Sequence, residues 1–277
     1  MMHKIICIYH GSCADGFTAA WVVRKALGKD VEFYAGYYNE APPDVYNKEV
    51  YIVDFSYKKP LMEQIINDAA KVVHIDHHES AIKDMHGYVH SKLVKFYSPE
   101  NTESGAMLAW QYFFPDTEVP QLIKHVDDRD RWKFLLSGTR EISLNVSSYE
   151  YTFENWDKLM DLSLESQIQD GTVIERKVIK DIKELSTLVV RRMNIAGYNV
   201  PCANVIYQYG SDICSLLAKG EPFAAYYYDK PTHREFGLRS EPGSINVAEI
   251  ARIYGGGGHA NASGFRRSFE EARKFEV

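Results

Sequence analysis

The sequence predicts an α/β protein in which a larger N-terminal domain with a parallel sheet is joined by a long helix to a smaller α/β C-terminal domain with a mixed sheet. In the first half, short apolar runs alternate with segments of helical periodicity, a pattern typical of parallel sheets. The chain has 277 residues and a mass of 31.7 kDa, above the usual size of one domain, roughly 100–200 residues. We therefore predict domains 1–195 and 196–277, with the boundary near Ala196-Gly197.

The N-terminal elements follow from three apolar runs. Residues 4–9 predict a buried strand, followed by a helix from Phe17 that ends at Gly28. Residues 50–53 predict a second strand, after which Ser56 is placed to cap a helix with Pro60 in its first turn. Residues 71–75 predict a third buried strand. We expect all three strands to belong to one parallel sheet.

Polar side chains follow each of these strands. They are His10 and Asp15 after the first strand, Asp54 after the second, and Asp76, His77 and His78 after the third. Open α/β sheets bind their ligands at the carboxyl ends of the strands. We therefore expect a metal and phosphate site at this edge.

The ligand types indicate the class of metal. Carboxylate oxygens together with imidazole nitrogens suit a transition metal such as Mn²⁺, with Mg²⁺ or Co²⁺ as alternatives. Shared carboxylates can bring two ions to roughly 3.5–4 Å, an arrangement that supports in-line phosphoryl displacement. The four cysteines show no CxxC spacing, which disfavours structural zinc and favours a reducing cytoplasm.

The second half predicts a connecting helix followed by a small mixed domain. Thr172 and Glu175 form a predicted capping box at the start of the long helix. Asn246 is expected to cap a later helix that ends at Gly255. The remaining predicted elements are strands at 199–207, 223–228 and 234–240 and a helix at 211–219.

Charge and hydropathy limit the partners. The formal net charge of −6 and the pI of about 5.9 argue against binding of long duplex nucleic acid, because each neutralised phosphate needs a Lys or Arg. No apolar run reaches the roughly 18 residues of a membrane span. A short anionic substrate fits these properties best.

A glycine run predicts an anion-binding segment near the C-terminus. Gly257 and Gly258 belong to four consecutive glycines, more than a helix cap requires, and their backbone N–H groups can form an anion-binding nest. His259 and Asn261 add side-chain donors, and Arg239 offers a planar fork suited to a terminal phosphate. We expect these residues to bind substrate.

The motifs resemble those of one known family. In chain order they are His10…Asp15-Gly16, Val53-Asp54-Phe55-Ser56, Asp76-His77-His78, Asp127-Asp128-Arg129-Asp130-Arg131-Trp132, Phe236-Gly237-Leu238-Arg239-Ser240, and Gly255 to Phe265. This series resembles the DHH phosphoesterases and their C-terminal substrate-binding domain over almost the whole chain. In motif form it is most similar to the small oligoribonuclease-like members.

The resemblance implies roles for individual residues. His10, Asp15, Asp54, His77 and Asp128 would bind two metal ions, with Asp54 as the bridge. His78 would contact the scissile phosphate, and Asp76 would orient its neighbours. Asp130 and then Asp127 are alternatives to Asp128, because spacing alone cannot separate three aspartates near one helix end.

One position departs from the family. Many relatives carry an aspartate two residues before Asp15, where this chain has Cys13. Either the Cys13 thiolate replaces that carboxylate, or the first metal is held by His10, Asp54 and water and is bound more weakly. Cys13 could equally be a small buried residue without a ligand role.

The resemblance implies a manganese-dependent phosphodiesterase that hydrolyses short oligonucleotides to nucleoside monophosphates, and homodimers are frequent among relatives. One alternative is a phosphatase acting on pAp, pyrophosphate or short polyphosphate. Another, from a different class, is a nucleotide-binding sensor whose first metal site has been lost through Cys13.

Overall fold

The computed structural model describes residues 4–38, 40–98, 100 and 102–276. The chain divides into two compact units, Met1–Glu175 and Arg176–Val277, which we call the N-terminal and C-terminal units. This division lies inside one long helix, whereas the sequence-based boundary at 195/196 follows the end of that helix. The predicted α/β class is confirmed.

The N-terminal unit alternates strands and helices before ending in a helical region. Its elements are β1 (Ile5–His10), α1 (Ala14–Leu27), β2 (Glu32–Gly36), β3 (Glu49–Val53), α2 (Lys59–Asp68), β4 (Lys71–Asp76), α3 (Glu79–Asp84), β5 (Leu93–Tyr97), α4 (Gly105–Phe113), α5 (Gln121–Asp130), α6 (Thr139–Ser147) and α7 (Phe153–Asp161). Helix α8 (Leu164–Leu188) then continues into the C-terminal unit.

The five strands form one parallel sheet in the order β2-β1-β3-β4-β5. Both faces of the sheet are covered, as expected for parallel strands. In β1, Ile6 and Ile8 belong to the apolar cluster on one face and Cys7 to the cluster on the other, and all three are fully buried. The apolar runs are therefore continuous because alternate side chains enter two different cores.

Helix α1 is fixed against the end of β1. A Cβ on Gly16 would lie 2.5 Å from the carbonyl oxygen of His10, so only glycine allows this approach. Asp15 through Val23 are buried, and the buried hydroxyl of Thr18 accepts a hydrogen bond from Trp156 Nε1 at 2.9 Å. The start of α1, where Asp15 lies, is thus held firmly over the sheet edge.

Two predicted helix caps are wrong. Helix α2 begins after Lys58, and the Ser56 hydroxyl instead donates to the carbonyl of Tyr57, although Pro60 does lie in the first turn. Helix α8 begins at Leu164, and the Thr172 hydroxyl donates to the carbonyl of Ile168 within the helix. Both side chains satisfy a nearby carbonyl and leave the helix N–H groups to other partners.

The C-terminal unit is built on a six-stranded sheet. After the end of α8 its elements are β6 (Val190–Ile195), β7 (Tyr198–Asn204), α9 (Tyr207–Leu217), β8 (Ala224–Asp229), β9 (Arg234–Arg239), α10 (Val247–Ile253), β10 (Gly257–His259), β11 (Ala262–Arg267) and α11 (Phe269–Arg273). The strand order is β10-β11-β9-β8-β7-β6.

The predicted mixed sheet is confirmed, because β7 and β8 pair in parallel while the other pairs are antiparallel. Asn246 caps α10 as predicted, its side chain accepting from the N–H of Ala248 at 3.0 Å. In the part of the chain that the structure describes, no helix is both long and apolar enough to cross a bilayer.

Candidate active site

Three neighbouring strands of the N-terminal sheet end in polar residues at one level. The register pairs Tyr9 with Val53 and Val53 with Ile75. The next residue of each strand is therefore His10, Asp54 or Asp76, and these three follow one another across the sheet edge. The predicted convergence of the strand ends is confirmed.

The imidazole of His77 lies among three carboxylates. Its Nε2 is 3.1 Å from Asp54 Oδ1, 3.5 Å from Asp130 Oδ2 and 3.8 Å from Asp15 Oδ2. His77, Asp15 and Asp54 are all nearly inaccessible to solvent. Burial opposes protonation of His77, but the neighbouring carboxylates outweigh it and raise the pKa of this imidazole well above its ordinary value.

Asp54 presents its second oxygen to His10. Asp54 Oδ2 and His10 Nδ1 are 3.6 Å apart, and each is buried without a hydrogen-bond partner among the described residues. Burial alone would raise the pKa of Asp54, but the imidazoles of His10 and His77 outweigh it and lower that pKa. The two oxygens of Asp54 therefore lie near different imidazoles, Oδ1 near His77 and Oδ2 near His10.

These side chains fit divalent cations. His10, Asp54 and His78 form one set of ligand atoms within 4.8 Å of one another, and Asp15, His77 and Asp130 form another. Buried atoms that lack partners are costly unless a bound group satisfies them. Oxygen and imidazole nitrogen in both sets are ligands that suit transition metals.

Asp15 is held by the start of α4. Its carboxylate accepts hydrogen bonds from the Ser104 hydroxyl at 2.6 Å and from the N–H groups of Gly105 at 2.7 Å and Ala106 at 3.0 Å. Burial raises the pKa of Asp15 well above its ordinary value, and the charge of Asp54 adds to that effect. A cation beside Asp15 would offset both effects.

Asp76 orients the two histidines that follow it. Its Oδ1 accepts from the N–H of His77 at 2.8 Å and of His78 at 3.1 Å, and it contacts His78 Nδ1 at 2.8 Å. Its Oδ2 lies 3.5 Å from Nε2 of the buried His74, whose Nδ1 contacts the Tyr97 hydroxyl at 2.6 Å. A fully buried carboxylate in this position fixes imidazole geometry.

The three aspartates of the fourth motif have different surroundings. Asp127 accepts from the N–H of Ser104 and forms an ion pair with Arg131. Asp128 does not lie in either ligand set, and its carboxylate is occupied by three donors from residues 135–139. Asp130 Oδ2 lies 3.5 Å from His77 Nε2. The expectation that Asp128 binds metal does not fit these contacts, and Asp130 does.

Cys13 precedes the first residue of α1. Burial raises the pKa of its thiol well above the ordinary value, and the charges of Asp54, Asp130 and Asp15 raise it further. Without a cation these surroundings keep the thiol protonated. A cation beside Cys13 would offset both effects, as it would at Asp15.

The predicted substrate-binding residues of the C-terminal unit share one region of its sheet. Arg239 pairs with Ala262, which pairs with His259, so these side chains lie on one face across three strands, with a small residue in the middle. Arg239 donates to the Ser211 hydroxyl at 2.7 Å and to its own neighbour's carbonyl. Gly257 belongs to β10.

The glycine run and Asn261 support this hairpin. Gly258 has φ +137°, and a Cβ there would lie 2.6 Å from the Ala262 carbonyl oxygen, so glycine is required. Asn261 donates to the Ser240 hydroxyl at 3.0 Å and to the Glu241 carbonyl at 2.9 Å. These contacts make Asn261 a support for the turn after β9.

The sequence analysis did not select Ser104 and Gly105. A Cβ on Gly105 would lie 2.4 Å from Cβ of Asp54, so glycine lets α4 approach the site. A signal was present, because Ser104 precedes an apolar helical segment and is its N-cap. That signal predicts a helix start but not its contact with Asp15.

Known relatives support the family assignment. No family model matches the chain. It is 29% identical to the uncharacterized protein R106 of Acanthamoeba polyphaga mimivirus, over 94% of this chain and 66% of the relative. It is 24% identical to oligoribonuclease NrnB of Bacillus subtilis, over 93% of this chain and 71% of the relative. The chain is therefore similar, over nearly its whole length, to a protein named as an oligoribonuclease. It spans about two thirds of the length of these curated relatives.

A solved structure agrees in fold. The pGpG-specific phosphodiesterase PggH from Vibrio cholerae aligns with a TM-score of 0.51 and 17% sequence identity, over 98% of this chain and 96% of that one. At this identity the likeness concerns the fold. The predicted resemblance to the DHH phosphoesterases is confirmed by the motifs together with the sequence similarity to oligoribonuclease NrnB.

Proposed function

We propose that this protein is a metal-dependent phosphodiesterase that hydrolyses short oligonucleotides to nucleoside monophosphates. One observation carries the proposal: three carboxylates, two of them buried, converge on His77 beside the unpartnered oxygen of Asp54. The homology to an oligoribonuclease supports the choice of substrate. The metal we propose is Mn²⁺, because imidazole and carboxylate occur together among the ligands.

The two ligand sets suggest how the ions are shared. Asp15, His77 and Asp130 would hold one ion, His10 would hold the other, and Asp54 would serve both. When bound, two ions would polarise a water molecule and neutralise the phosphoryl oxygens. The chain's own contribution is to hold three of these residues at the ends of β1, β3 and β4, with Asp15 in the first turn of α1 and Asp130 at the end of α5.

His78 is assigned to the substrate phosphate. Asp76 accepts a hydrogen bond from His78 Nδ1, so Nε2 is the ring nitrogen that would meet a phosphoryl oxygen. A donor at that position stabilises charge that develops in the transition state. Asp76 acts through His78 and is a positioning residue in this scheme.

The C-terminal unit is assigned to the far end of the substrate. Arg239 and His259 lie one strand to either side of Ala262, so their backbones are separated by two strand spacings, about 9–10 Å. A planar guanidinium and an imidazole at that spacing suit a terminal phosphate and its nucleoside. We propose that Arg239 and His259 give the enzyme its preference for short oligonucleotides.

The test is hydrolysis of a short RNA by the metal-stripped protein with and without added Mn²⁺, with the products identified. We expect nucleoside monophosphates only when metal is present. Release of inorganic phosphate alone would indicate a phosphatase for pAp, pyrophosphate or polyphosphate. Binding without hydrolysis would indicate a nucleotide sensor, and full activity in excess chelator would contradict the metal-dependent mechanism.

A further inference from the structure

The loop between α5 and α6, residues 131–138, carries two aromatic rings that pack with arginines of the two flanking helices, outside the site described above. Trp132 and Phe134 meet edge to face, with their ring centroids 5.0 Å apart. The Arg129 guanidinium lies 4.2 Å from the Trp132 centroid, and the Arg140 guanidinium lies 4.2 Å from that of Phe134. We call these four residues the arginine–aromatic cluster.

The loop carrying this cluster has a strained backbone. Trp132 has φ +56° and Phe134 has φ +52°, values that bulky side chains rarely adopt. Such outliers persist only where the surrounding structure enforces them, and they concentrate at ligand clamps and active sites. The neighbouring Leu135 is 83% exposed, so the conformation is not explained by burial of the loop in a core.

Asp128 enforces this conformation. Its Oδ1 accepts from the N–H of Leu135 at 2.9 Å, and its Oδ2 accepts from the N–H of Leu136 at 3.0 Å and from the Thr139 hydroxyl at 2.7 Å. Its carbonyl also accepts from the N–H of Lys133 at 2.9 Å. A buried carboxylate with three donors is a firm anchor. The aspartate expected to bind metal therefore holds the loop.

We propose that the arginine–aromatic cluster binds an unpaired base of the oligonucleotide next to the scissile phosphate, which rests on the function proposed above. Trp132 follows Asp130 by two residues, a distance of at most about 7 Å between their Cα atoms. Asp130 contacts His77, so the cluster lies beside the candidate ligands. Its residues determine specificity and are not part of the proposed metal set.

The chemistry of the cluster matches this ligand. Bases that are not paired stack on aromatic rings and on guanidinium planes, and the cluster contains two of each. Two positive charges beside the rings also suit the adjoining phosphates, in a chain whose total charge is −6. Metal ions alone would not require aromatic rings at this position, whereas a substrate with bases would stack on them.

The test compares two substrates of equal length and charge, a pentaribonucleotide and the same chain with abasic sugars. Trp132→Leu removes the ring while keeping a bulky side chain at the same backbone conformation. We expect kcat/KM on the pentaribonucleotide to fall roughly tenfold to hundredfold, the effect of losing one base–aromatic stack, with little change on the abasic chain. Tyr46→Leu, at a 76% exposed aromatic in the same unit, is the matched control and should change neither.

A second variant guards against misfolding. Phe134→Gly removes the other ring and also relieves its backbone strain, so it should preserve or raise the unfolding temperature while reducing activity on the base-bearing substrate alone. Equal losses on both substrates, or no loss in either variant, would overturn the inference.

Direct binding separates this inference from the proposed function. Fluorescence anisotropy with the same two chains, labelled, measures affinity without cleavage. If wild type binds the base-bearing chain better through Trp132 but cleaves neither, the base site stands and the proposed hydrolysis fails. If wild type cleaves both chains equally well and Trp132→Leu changes nothing, hydrolysis stands and the base site fails.

Discussion

Asparagine substitutions at Asp130 and Asp128 should have opposite consequences, although the two residues are two positions apart. Asp130 contacts His77 Nε2 at 3.5 Å and is our proposed ligand, while Asp128 anchors residues 135–139. We expect Asp130→Asn to weaken metal binding with little change in stability. We expect Asp128→Asn to reduce stability first.

The magnitudes follow from the contacts. Replacing even an indirect partner of a metal ligand typically costs about 10–100-fold in metal affinity or activity, so losing the charge of Asp130 should cost at least about tenfold. In Asp128→Asn, the new side chain would present an NH₂ group toward donors that now meet a carboxylate oxygen. Hydrogen bonds to charged groups contribute about 1.5–3 kcal/mol, so a loss of about 2–3 kcal/mol should lower Tm by roughly 5–10 °C.

The assay is a Mn²⁺ titration of phosphodiesterase activity, paired with thermal unfolding of the metal-stripped proteins. The Mn²⁺ concentration for half-maximal activity should rise in Asp130→Asn and stay near wild type in Asp128→Asn. The Tm should show the reverse pattern. If Asp128→Asn raises the Mn²⁺ requirement while its Tm is unchanged, Asp128 is the ligand and our assignment is wrong.

Three further predictions concern the same machinery. Asp54→Asn should remove nearly all turnover, with circular dichroism unchanged, because asparagine tolerates the φ of +54° at this position but lacks the bridging charge; substantial kcat would contradict the bridging role. Gly105→Ala should lower kcat by about a hundredfold, because its Cβ would displace Asp54; kcat near wild type would mean that α4 can shift freely. Arg239→Ala should reduce kcat/KM on a short oligonucleotide by about one to two decades while sparing bis-p-nitrophenyl phosphate, with Lys230→Ala as the charge-matched control; equal losses on both substrates would place Arg239 in the fold or the catalytic centre.

Much of the site could be predicted because the carboxyl ends of neighbouring parallel strands lie at the same edge of a sheet. The apolar runs before His10, Asp54 and Asp76 are long enough to specify buried strands, and neighbouring parallel strands then deliver the next residues to one edge. No knowledge of side-chain contacts was needed for that step. The mixed C-terminal sheet followed from similar patterns of short strands and helices.

Helix starts were less predictable because Ser and Thr have several local partners. Ser56 and Thr172 both carry the residue type and spacing of a cap, yet each hydroxyl donates to a backbone carbonyl instead. In α8, Leu164 lies eight residues before the expected start, because the helix continues through a segment without strong apolar periodicity. Contacts distant in sequence, such as that of Asp15 with Ser104, leave no local pattern at all.

The choice among Asp127, Asp128 and Asp130 shows what decides a ligand when spacing does not. Successive residues of an α-helix turn by roughly 100°, so these three side chains leave α5 in different directions. Burial does not separate them, because Asp127 and Asp128 are both buried while Asp130 is exposed. What differs is the partner of each carboxylate: Asp130 Oδ2 lies 3.5 Å from His77 Nε2, whereas Asp128 accepts from three donors in residues 135–139. These partners lie on other elements of the fold, so the spacing of the aspartates within α5 does not predict them.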